Sequence, residues 1–140
     1  MKKILIVNAN YYKNISKRLV LSSKKKLVNN FKVSIINVPG IYEIPIAIRK
    51  NIKKFDGFVA LGCVIKGQTP HFDFICHTAF NVILKLSVEF NKPIGNGIIT
   101  ALNMSQATKR SIKSSLKKPN KGYEAANAVI SILKNEPKKI

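Results

Sequence analysis

The chain has 140 residues, of which 46% are hydrophobic, so it is long enough for one domain with one core and too short for two. This composition excludes a disordered protein, and no apolar run is long enough to span a bilayer. The net charge of +19 would suit a nucleic-acid-binding protein, but 22 of the 25 basic residues are lysine, and arginine is the usual residue for bidentate phosphate and base recognition.

Short apolar runs alternate with longer periodic segments, which is the pattern of βαβ units. The predicted strands are Lys3–Val7, Phe31–Val38, Phe58–Leu61 and Pro93–Thr100. The predicted helices are Ile15–Asn30, Tyr42–Lys54, Phe72–Phe90, Met104–Leu116 and Tyr123–Lys134. The stretch 113–122 is expected to be a loop or a kink, and 134–140 a frayed basic tail.

Near the start of the chain, Lys2 and Lys3 precede an apolar run, as in a secretion signal. This run has only four apolar residues before the polar Asn8, so it is interpreted as a strand. We therefore expect a soluble cytoplasmic protein. An excess of lysine, isoleucine and asparagine also suggests compositional drift, which places the lysines on solvated faces and predicts no specific nucleic-acid partner. Weak, salt-sensitive association with nucleic acid remains an alternative.

Strands that are connected by helices form a parallel sheet with right-handed crossovers. We predict one α/β domain over residues 1–140, a flavodoxin-like three-layer αβα sandwich around a four-stranded parallel sheet. In such sheets ligands bind beyond the carboxyl ends of the strands. The functional residues should therefore come directly after each predicted strand.

The loop after the third predicted strand is the richest in candidate functional residues. Gly67 allows a close approach of the backbone to a ligand, and Thr69 and Pro70 suit the start of the following helix. Backbone N–H groups at that helix start form a phosphate cradle. His71 would then stand in the first turn, where the helix dipole favours the neutral imidazole that proton transfer requires. An isolated Thr-Pro-His would be a surface turn, but the glycine-rich context favours the functional interpretation.

Other candidates after the strands have ordinary structural alternatives. Tyr11 could stack on a flat heterocycle or close the core, and Glu43 could simply begin a helix. Arg110 on a helix is by itself typical of a solvated side chain. Cys63 and Cys76 lack metal-ligand spacing and are interpreted as reduced, buried thiols, so no metal site is predicted.

Taken together, several segments resemble the lumazine synthase family. They are Val-Pro-Gly-Ile-Tyr-Glu-Ile-Pro (38–45), Gly-Cys-Val-Ile-Lys-Gly-Gln-Thr-Pro-His-Phe-Asp (62–73), Pro-Ile-Gly-Asn-Gly-Ile-Ile-Thr (93–100), Gln-Ala-Thr-Lys-Arg (106–110) and Asn-Lys-Gly-Tyr-Glu-Ala-Ala (120–126). The resemblance covers nearly the whole chain, and its Gly-x-Thr-Pro-His loop is highly specific.

The resemblance implies a transferase of riboflavin biosynthesis that needs no cofactor. The amine of 5-amino-6-(D-ribitylamino)uracil would attack the carbonyl of 3,4-dihydroxy-2-butanone 4-phosphate. Phosphate and water would then leave as the ring closes to 6,7-dimethyl-8-ribityllumazine.

The resemblance also assigns roles by position. His71 would transfer protons, Tyr11 would stack on the pyrimidine, and Arg110 would be the cationic partner of the phosphate. The other assigned residues surround the ring and the ribityl chain or hold the phosphate: Ile41, Tyr42, Glu43, Cys63, Val64, Ile65, Gln68 and Thr69.

The resemblance further implies a homopentamer whose sites lie between neighbours, with Asn96 and Arg110 serving a neighbour's pocket. Asn96 stands where some members carry an aromatic residue, so its role is left open. A larger shell is the alternative. A start at the first strand and a longer stretch after Arg110 argue against that shell. Riboflavin synthase is a further expected partner.

Three rival hypotheses remain. The first is a riboflavin synthase of archaeal type, which would be recognised by dismutation of the lumazine. The second is a nucleic-acid-binding protein, suggested by charge alone, which leaves the Gly-Gln-Thr-Pro-His loop unexplained. The third is an inactive domain that binds a phosphate ligand.

Overall fold

The computed structural model describes residues 1–68, 70–112 and 119–140. Its strands are β1 (Lys3–Ala9), β2 (Lys32–Val38), β3 (Gly57–Ile65) and β4 (Ile94–Ala101). Its helices are α1 (Lys13–Leu27), a 3-10 turn (Ile41–Glu43), α2 (Ile44–Asn51), α3 (His71–Phe90), α4 (Met104–Ser111) and α5 (Lys121–Lys134).

The four strands form one parallel sheet in the order β2-β1-β3-β4. Side chains alternate along β1, so that Ile4 and Ile6 enter one core cluster and Leu5 and Val7 enter the other. The first cluster lies between the sheet and helices α1, α4 and α5, and the second lies between the sheet and helices α2 and α3. The prediction of a three-layer αβα sandwich is therefore confirmed.

Several predicted boundaries were wrong. The helix predicted over Tyr42–Lys54 begins instead as the 3-10 turn, and α2 ends at Asn51. Strand β3 continues four residues beyond its predicted end, to Ile65, because these residues pair in register with β4, as in Cys63 with Ile99.

The region around α4 and α5 also differs from the prediction. Helix α4 ends at Ser111, and residues 113–118, where the predicted helix ended and the predicted loop began, lie outside the described residues. The predicted loop extended to Gly122, but α5 already begins at Lys121. The reason is a cap, since the Asn120 side chain accepts a hydrogen bond from the Tyr123 backbone N–H at 3.0 Å.

Helix α5 lies unusually close to the edge strand β4. A Cβ atom built on Gly95 would stand 2.2 Å from the carbonyl oxygen of Ala125 in α5. Only glycine leaves room for this approach, so Gly95 fixes the distance between β4 and α5.

Several of the basic residues lie at the carboxyl ends of helices. In a parallel sheet joined by helices, the strand starts and the helix ends meet at the same end of the sheet. The last turns of α1, α2 and α5 are basic, with Lys24–Lys26, Arg49, Lys50 and Lys134. Cations there stabilise the negative end of a helix dipole, which gives these lysines a structural role. Within the described ranges, no helix is both long and apolar enough to cross a membrane.

Candidate active site

The strand order reverses between β1 and β3, and the loops that follow these strands leave the same edge of the sheet. The loop after β1 is held by a hydrogen bond from the Asn10 backbone N–H to the Val38 carbonyl oxygen, 3.1 Å long. The loop after β3 is held by a bond from the Lys66 N–H to the Ala101 carbonyl oxygen, 2.9 Å long. This is the position at which ligands bind in sheets of this type.

One cavity of about 520 Å³ lies between the 3-10 turn, α2 and α3; we call it the apolar cavity. It contains three predicted site residues, Tyr42, Glu43 and His71. The other lining residues are mostly aliphatic or aromatic: Pro45, Ile46, Phe74, Ile75, Thr78, Ala79 and Val82. Tyr42 and Phe74 are 74% and 68% exposed, so two aromatic rings are available to a flat ligand.

His71 is the first residue of α3, as expected for a residue at a ligand-binding helix start. Pro70 takes the capping position rather than the first turn, and it makes no side-chain capping bond. The predicted cap, Thr69, lies outside the described residues. His71 itself is exposed and can therefore reach a ligand in the apolar cavity.

A second cavity, of about 350 Å³, lies beside β4; we call it the charged cavity. Its lining includes Asn96, Thr100 and Arg110, together with Lys121 and Glu124 from the start of α5. The Arg110 guanidinium donates a hydrogen bond to the Thr100 carbonyl oxygen at the end of β4. Two cationic side chains and one carboxylate leave this cavity with a net positive charge, which suits an anion.

Asn96 has a local partner in the charged cavity. Its side-chain oxygen accepts a hydrogen bond from the Ile98 backbone N–H at 3.0 Å, on the same strand. Because β4 is an edge strand, this bond occupies a donor that no neighbouring strand uses.

Lys121 and Glu124 were not predicted to be site residues. They form an ion pair, with 3.8 Å between the Lys121 Nζ and a Glu124 carboxylate oxygen. The sequence contained a signal for this pair, because Lys121 and Glu124 are three residues apart in the Asn-Lys-Gly-Tyr-Glu segment (120–124). Residues with that spacing share one face of a helix. That face is the one turned to the charged cavity.

The two cavities share no lining residue among the parts of the chain that the structure describes. His71, Tyr42 and Glu43 belong to one cavity, and Arg110 and Asn96 belong to the other. The structure thus places these predicted site residues in two separate groups within one chain, which we call the apolar half and the charged half.

Tyr11 belongs to neither half. Its ring is 75% exposed and meets Tyr12 edge to face, with ring centroids 4.9 Å apart and planes at 81°. Both rings line a further cavity of about 440 Å³ with Lys13, Arg18 and residues of α4. An exposed aromatic ring beside the switch point is suited to stacking.

The other predicted residues divide by burial. Ile41 is buried in the core against Gly62, where a Cβ would stand 2.5 Å from the Ile41 Cδ1, so only the backbone of Ile41 is available to a ligand. Val64 and Ile65 are half-buried at the end of β3, and Gln68 is exposed in the following loop.

The two cysteines are buried, in agreement with the sequence prediction. Burial raises the pKa of the Cys63 thiol to about 11. Burial, and then the neighbouring Asp73 carboxylate, raise the pKa of Cys76. Such thiols are poor nucleophiles near neutral pH. In residues 1–68, 70–112 and 119–140, no group of three or more potential metal ligands is found.

A family model described as 6,7-dimethyl-8-ribityllumazine synthase matches residues 1–136. Proteins with that description include one from Campylobacter curvus (strain 525.92), 35% identical over 138 residues, which cover 94% of this chain and 86% of the relative. One from Campylobacter jejuni (strain RM1221) is 37% identical over 137 residues, covering 94% and 87%. One from Methylorubrum extorquens (strain PA1) is 37% identical over 139 residues, covering 94% and 79%.

Proposed function

The chain belongs to the 6,7-dimethyl-8-ribityllumazine synthase family, and on that premise we propose how its two cavities divide the work of the reaction. It is a transferase of riboflavin biosynthesis. It condenses 5-amino-6-(D-ribitylamino)uracil with 3,4-dihydroxy-2-butanone 4-phosphate and releases phosphate and water. The placement of His71 in one cavity and Arg110 in the other carries the proposal.

The charged cavity binds the phosphate of the four-carbon substrate. Arg110 supplies a positive charge there, Lys121 supplies a second that Glu124 partly balances, and a guanidinium can donate two parallel hydrogen bonds to a phosphate. Gln68 and Thr69, in the loop before α3, are proposed to supply further donors. Asn96 is proposed to bind substrate beside them with its amide.

The apolar cavity binds the uracil and its ribityl chain. Tyr42 offers an aromatic surface, and Glu43 offers a carboxylate that can accept hydrogen bonds from ribityl hydroxyls. Tyr11 is proposed to stack on the pyrimidine from the loop after β1. Ile41, Cys63, Val64 and Ile65 are proposed to contribute mainly backbone groups.

His71 is the proposed proton-transfer residue. Its imidazole can take a proton from the attacking amine and return one when water leaves the carbinolamine. The two substrates react once they are held in contact, so positioning supplies much of the acceleration. Loss of His71 should therefore slow the reaction without abolishing it.

The halves are proposed to meet between two copies of the chain, with Asn96 and Arg110 of one copy completing the pocket of its neighbour. Within one chain the halves line separate cavities, and the apolar half leaves Tyr42, Phe74 and Val82 exposed. Contact with a neighbour would cover this apolar surface. We propose a homopentamer, with a larger shell as the alternative assembly.

The primary test mixes the purified protein with both substrates and follows the fluorescence of the lumazine. Formation above the spontaneous rate is expected, and no acceleration by a folded oligomer would contradict the proposal. Product analysis separates this activity from riboflavin formation by dismutation.

Complementation tests the shared site. His71→Ala and Arg110→Ala chains are co-expressed, so that about a quarter of random interfaces carry neither substitution. Activity above that of either variant alone is expected. Activity no higher than the mean of the two would place both residues in the pocket of a single chain. A mass measurement in solution gives the number of chains in the assembly, and a monomeric protein would contradict the shared site.

The cytoplasm is the proposed location of this biosynthetic enzyme. Riboflavin synthase, which consumes the product, is the proposed protein partner. Co-migration of the two enzymes on a sizing column would support that association, and independent elution at cellular concentrations would contradict it.

A further inference from the structure

Asn120 is a buried polar residue at the junction of three helices. It is 2% exposed and directly precedes α5. Its side-chain oxygen caps α5 by accepting from the Tyr123 N–H. Its side-chain Nδ2 donates to the Ser111 carbonyl oxygen at 2.9 Å and to the Ser22 hydroxyl at 2.8 Å. One amide thus joins the start of α5 to α1 and to the end of α4.

Ser111 is the neighbour of Arg110 in the chain and the last residue of α4. Helix α4 ends where the chain becomes extended at Ile112, with φ −86° and ψ 130°, and the Ser111 carbonyl oxygen accepts the hydrogen bond from the Asn120 Nδ2. The Arg18 guanidinium donates to the Ser111 hydroxyl at 3.2 Å. Ser111 is fully buried, and the residue beside Arg110 is therefore held on two sides.

Helix α4 has only eight residues, and its position depends on how its two ends are held. At its start, the Asn103 side-chain oxygen caps the helix by accepting from the Gln106 N–H, and the Gln106 side-chain oxygen accepts from the N–H of Leu102, the residue before the cap. At its end, Asn120 bonds the Ser111 backbone and Arg18 bonds the Ser111 hydroxyl. A shift of that end would move Arg110 away from the Thr100 carbonyl oxygen that it contacts.

We propose that Asn120 is a positioning residue for phosphate recognition, acting through Arg110. This inference rests on the proposed role of Arg110 in binding the phosphate substrate. Asn120 itself does not line the charged cavity, although its chain neighbours Pro119 and Lys121 do, and its amide connects the cavity to the end of α4 through Ser111. Asparagine suits the position because one side chain must accept a bond from α5 and donate to α4 and α1.

The test uses Asn120→Asp in the full-length oligomeric enzyme. Aspartate keeps the oxygen that caps α5 and loses the amide that donates to Ser111 and to Ser22. We expect the KM for the butanone phosphate to rise roughly tenfold, because small misplacements of a binding group cost about that much or more. The KM for the uracil should stay within about twofold, since the apolar cavity is built from other elements.

Ser23→Ala is the matched control. The buried Ser23 hydroxyl donates to the Gly122 carbonyl oxygen at 2.7 Å, so it also ties α1 to the start of α5 without touching α4. This variant should melt at a lower temperature than the wild type with the ratio of the two KM values unchanged. An equal change in that ratio for both variants would mean that Asn120 has only a structural role and would overturn the inference.

A double variant tests whether Asn120 acts through Arg110. In an Arg110→Ala background, Asn120→Asp should not raise the KM for the butanone phosphate any further. The reason is that the effects of substitutions at two coupled residues do not add. If the double variant instead shows the product of the two single KM increases, the inference is overturned. Arg110→Ala alone tests the proposed function: an ordinary phosphate KM in that variant would refute the phosphate role of Arg110. A clear Arg110→Ala defect with normal KM values for Asn120→Asp would refute only the role of Asn120.

Discussion

The apolar and charged cavities differ in how the fold builds them. The apolar cavity lies between two helices and a 3-10 turn, and its shape follows from packing along α3, which is 20 residues long. The charged cavity stands on an edge strand, the eight-residue α4 and the start of α5, and hydrogen bonds such as those of Asn120 hold it in place. Side-chain packing mainly determines the shape of the apolar cavity, and polar contacts between short elements determine that of the charged cavity.

This difference matches the chemistry of the two substrates. A heterocycle with a polyol chain is bound over a large area by aromatic and aliphatic side chains. A phosphate is bound by a few charged donors that must be placed accurately. Changes in the charged half should therefore affect one substrate sharply, and the two halves can be separated by kinetics.

The largest expected effect comes from Gly95, at the contact between β4 and α5 beside the charged cavity. Gly95→Ala places a Cβ 2.2 Å from the Ala125 carbonyl oxygen, so α5 must move off β4. We expect a loss of about 3 kcal/mol of folding free energy, the upper part of the range for overpacking, measured by urea unfolding. Gly67→Ala is the control, because its Cβ would have no described neighbour within 4 Å. Equal stability of the two variants would contradict the close packing of α5 on β4.

Arg110→Ala should have the next largest effect. Loss of charge-assisted hydrogen bonds to a phosphate raises its KM roughly 10- to 100-fold, while the KM for the uracil is little changed. Steady-state kinetics with each substrate varied in turn measure both. Lys109→Ala, an exposed neighbour on the same helix, removes the same charge from outside the cavity. A similar defect in both variants would show that general charge, rather than the Arg110 contact, binds the phosphate.

His71→Ala should lower kcat by roughly tenfold, less than is typical of general acid–base catalysis, because positioning supplies much of the acceleration and remains intact. His77→Ala is the matched control, since His77 is the other histidine, lies on the same helix and is exposed. Stopped assays of lumazine formation at saturating substrate measure both variants. An unchanged kcat for His71→Ala would remove the proposed proton-transfer role from the apolar half.

The smallest effect concerns Cys63, a buried residue of β3. Burial raises the pKa of Cys63 from 9.0 to about 11, so the folded state favours the neutral thiol more than the unfolded state does. The resulting stability is fully present below pH 9 and is lost as the pH rises towards 11. This loss amounts to roughly 1 kcal/mol by pH 10.

Urea unfolding between pH 8 and pH 10 measures this loss. Cys63→Ala should show a smaller decline than the wild type. It should retain some decline, because Cys76 and Tyr12 also have raised pKa values, chiefly through burial. Identical pH profiles for the two proteins would mean that water reaches the Cys63 thiol.

The architecture and the region of the site could be predicted from the sequence for a simple reason. Alternating apolar runs and helical periods define βαβ units, and parallel strands bring their following loops to one edge. His71 at a helix start and the buried cysteines followed from residue type and local context. These features depend on order along the chain, which the sequence contains directly.

Other features depend on packing between distant segments and could not be predicted. The separation of Arg110 from His71 follows from the edge position of β4 in the sheet. The burial of Ile41 follows from its contact with Gly62 on β3. The early start of α5 depends on how Asn120 is placed among three helices, and the pattern of residues 113–122 alone favoured a loop.

The basic helix ends have a consequence for how fast each substrate arrives. With a net charge of +19, the chain carries a positive field that draws in an anionic phosphate ester and has little effect on an uncharged uracil. The reach of that field falls from about 30 Å at 0.01 M salt to about 8 Å at 0.15 M. Diffusional capture of the butanone phosphate is therefore fast in dilute buffer and slows with salt, while capture of the uracil is nearly independent of salt. The lysines that stabilise the helix ends thus also bias which substrate collides with the protein first.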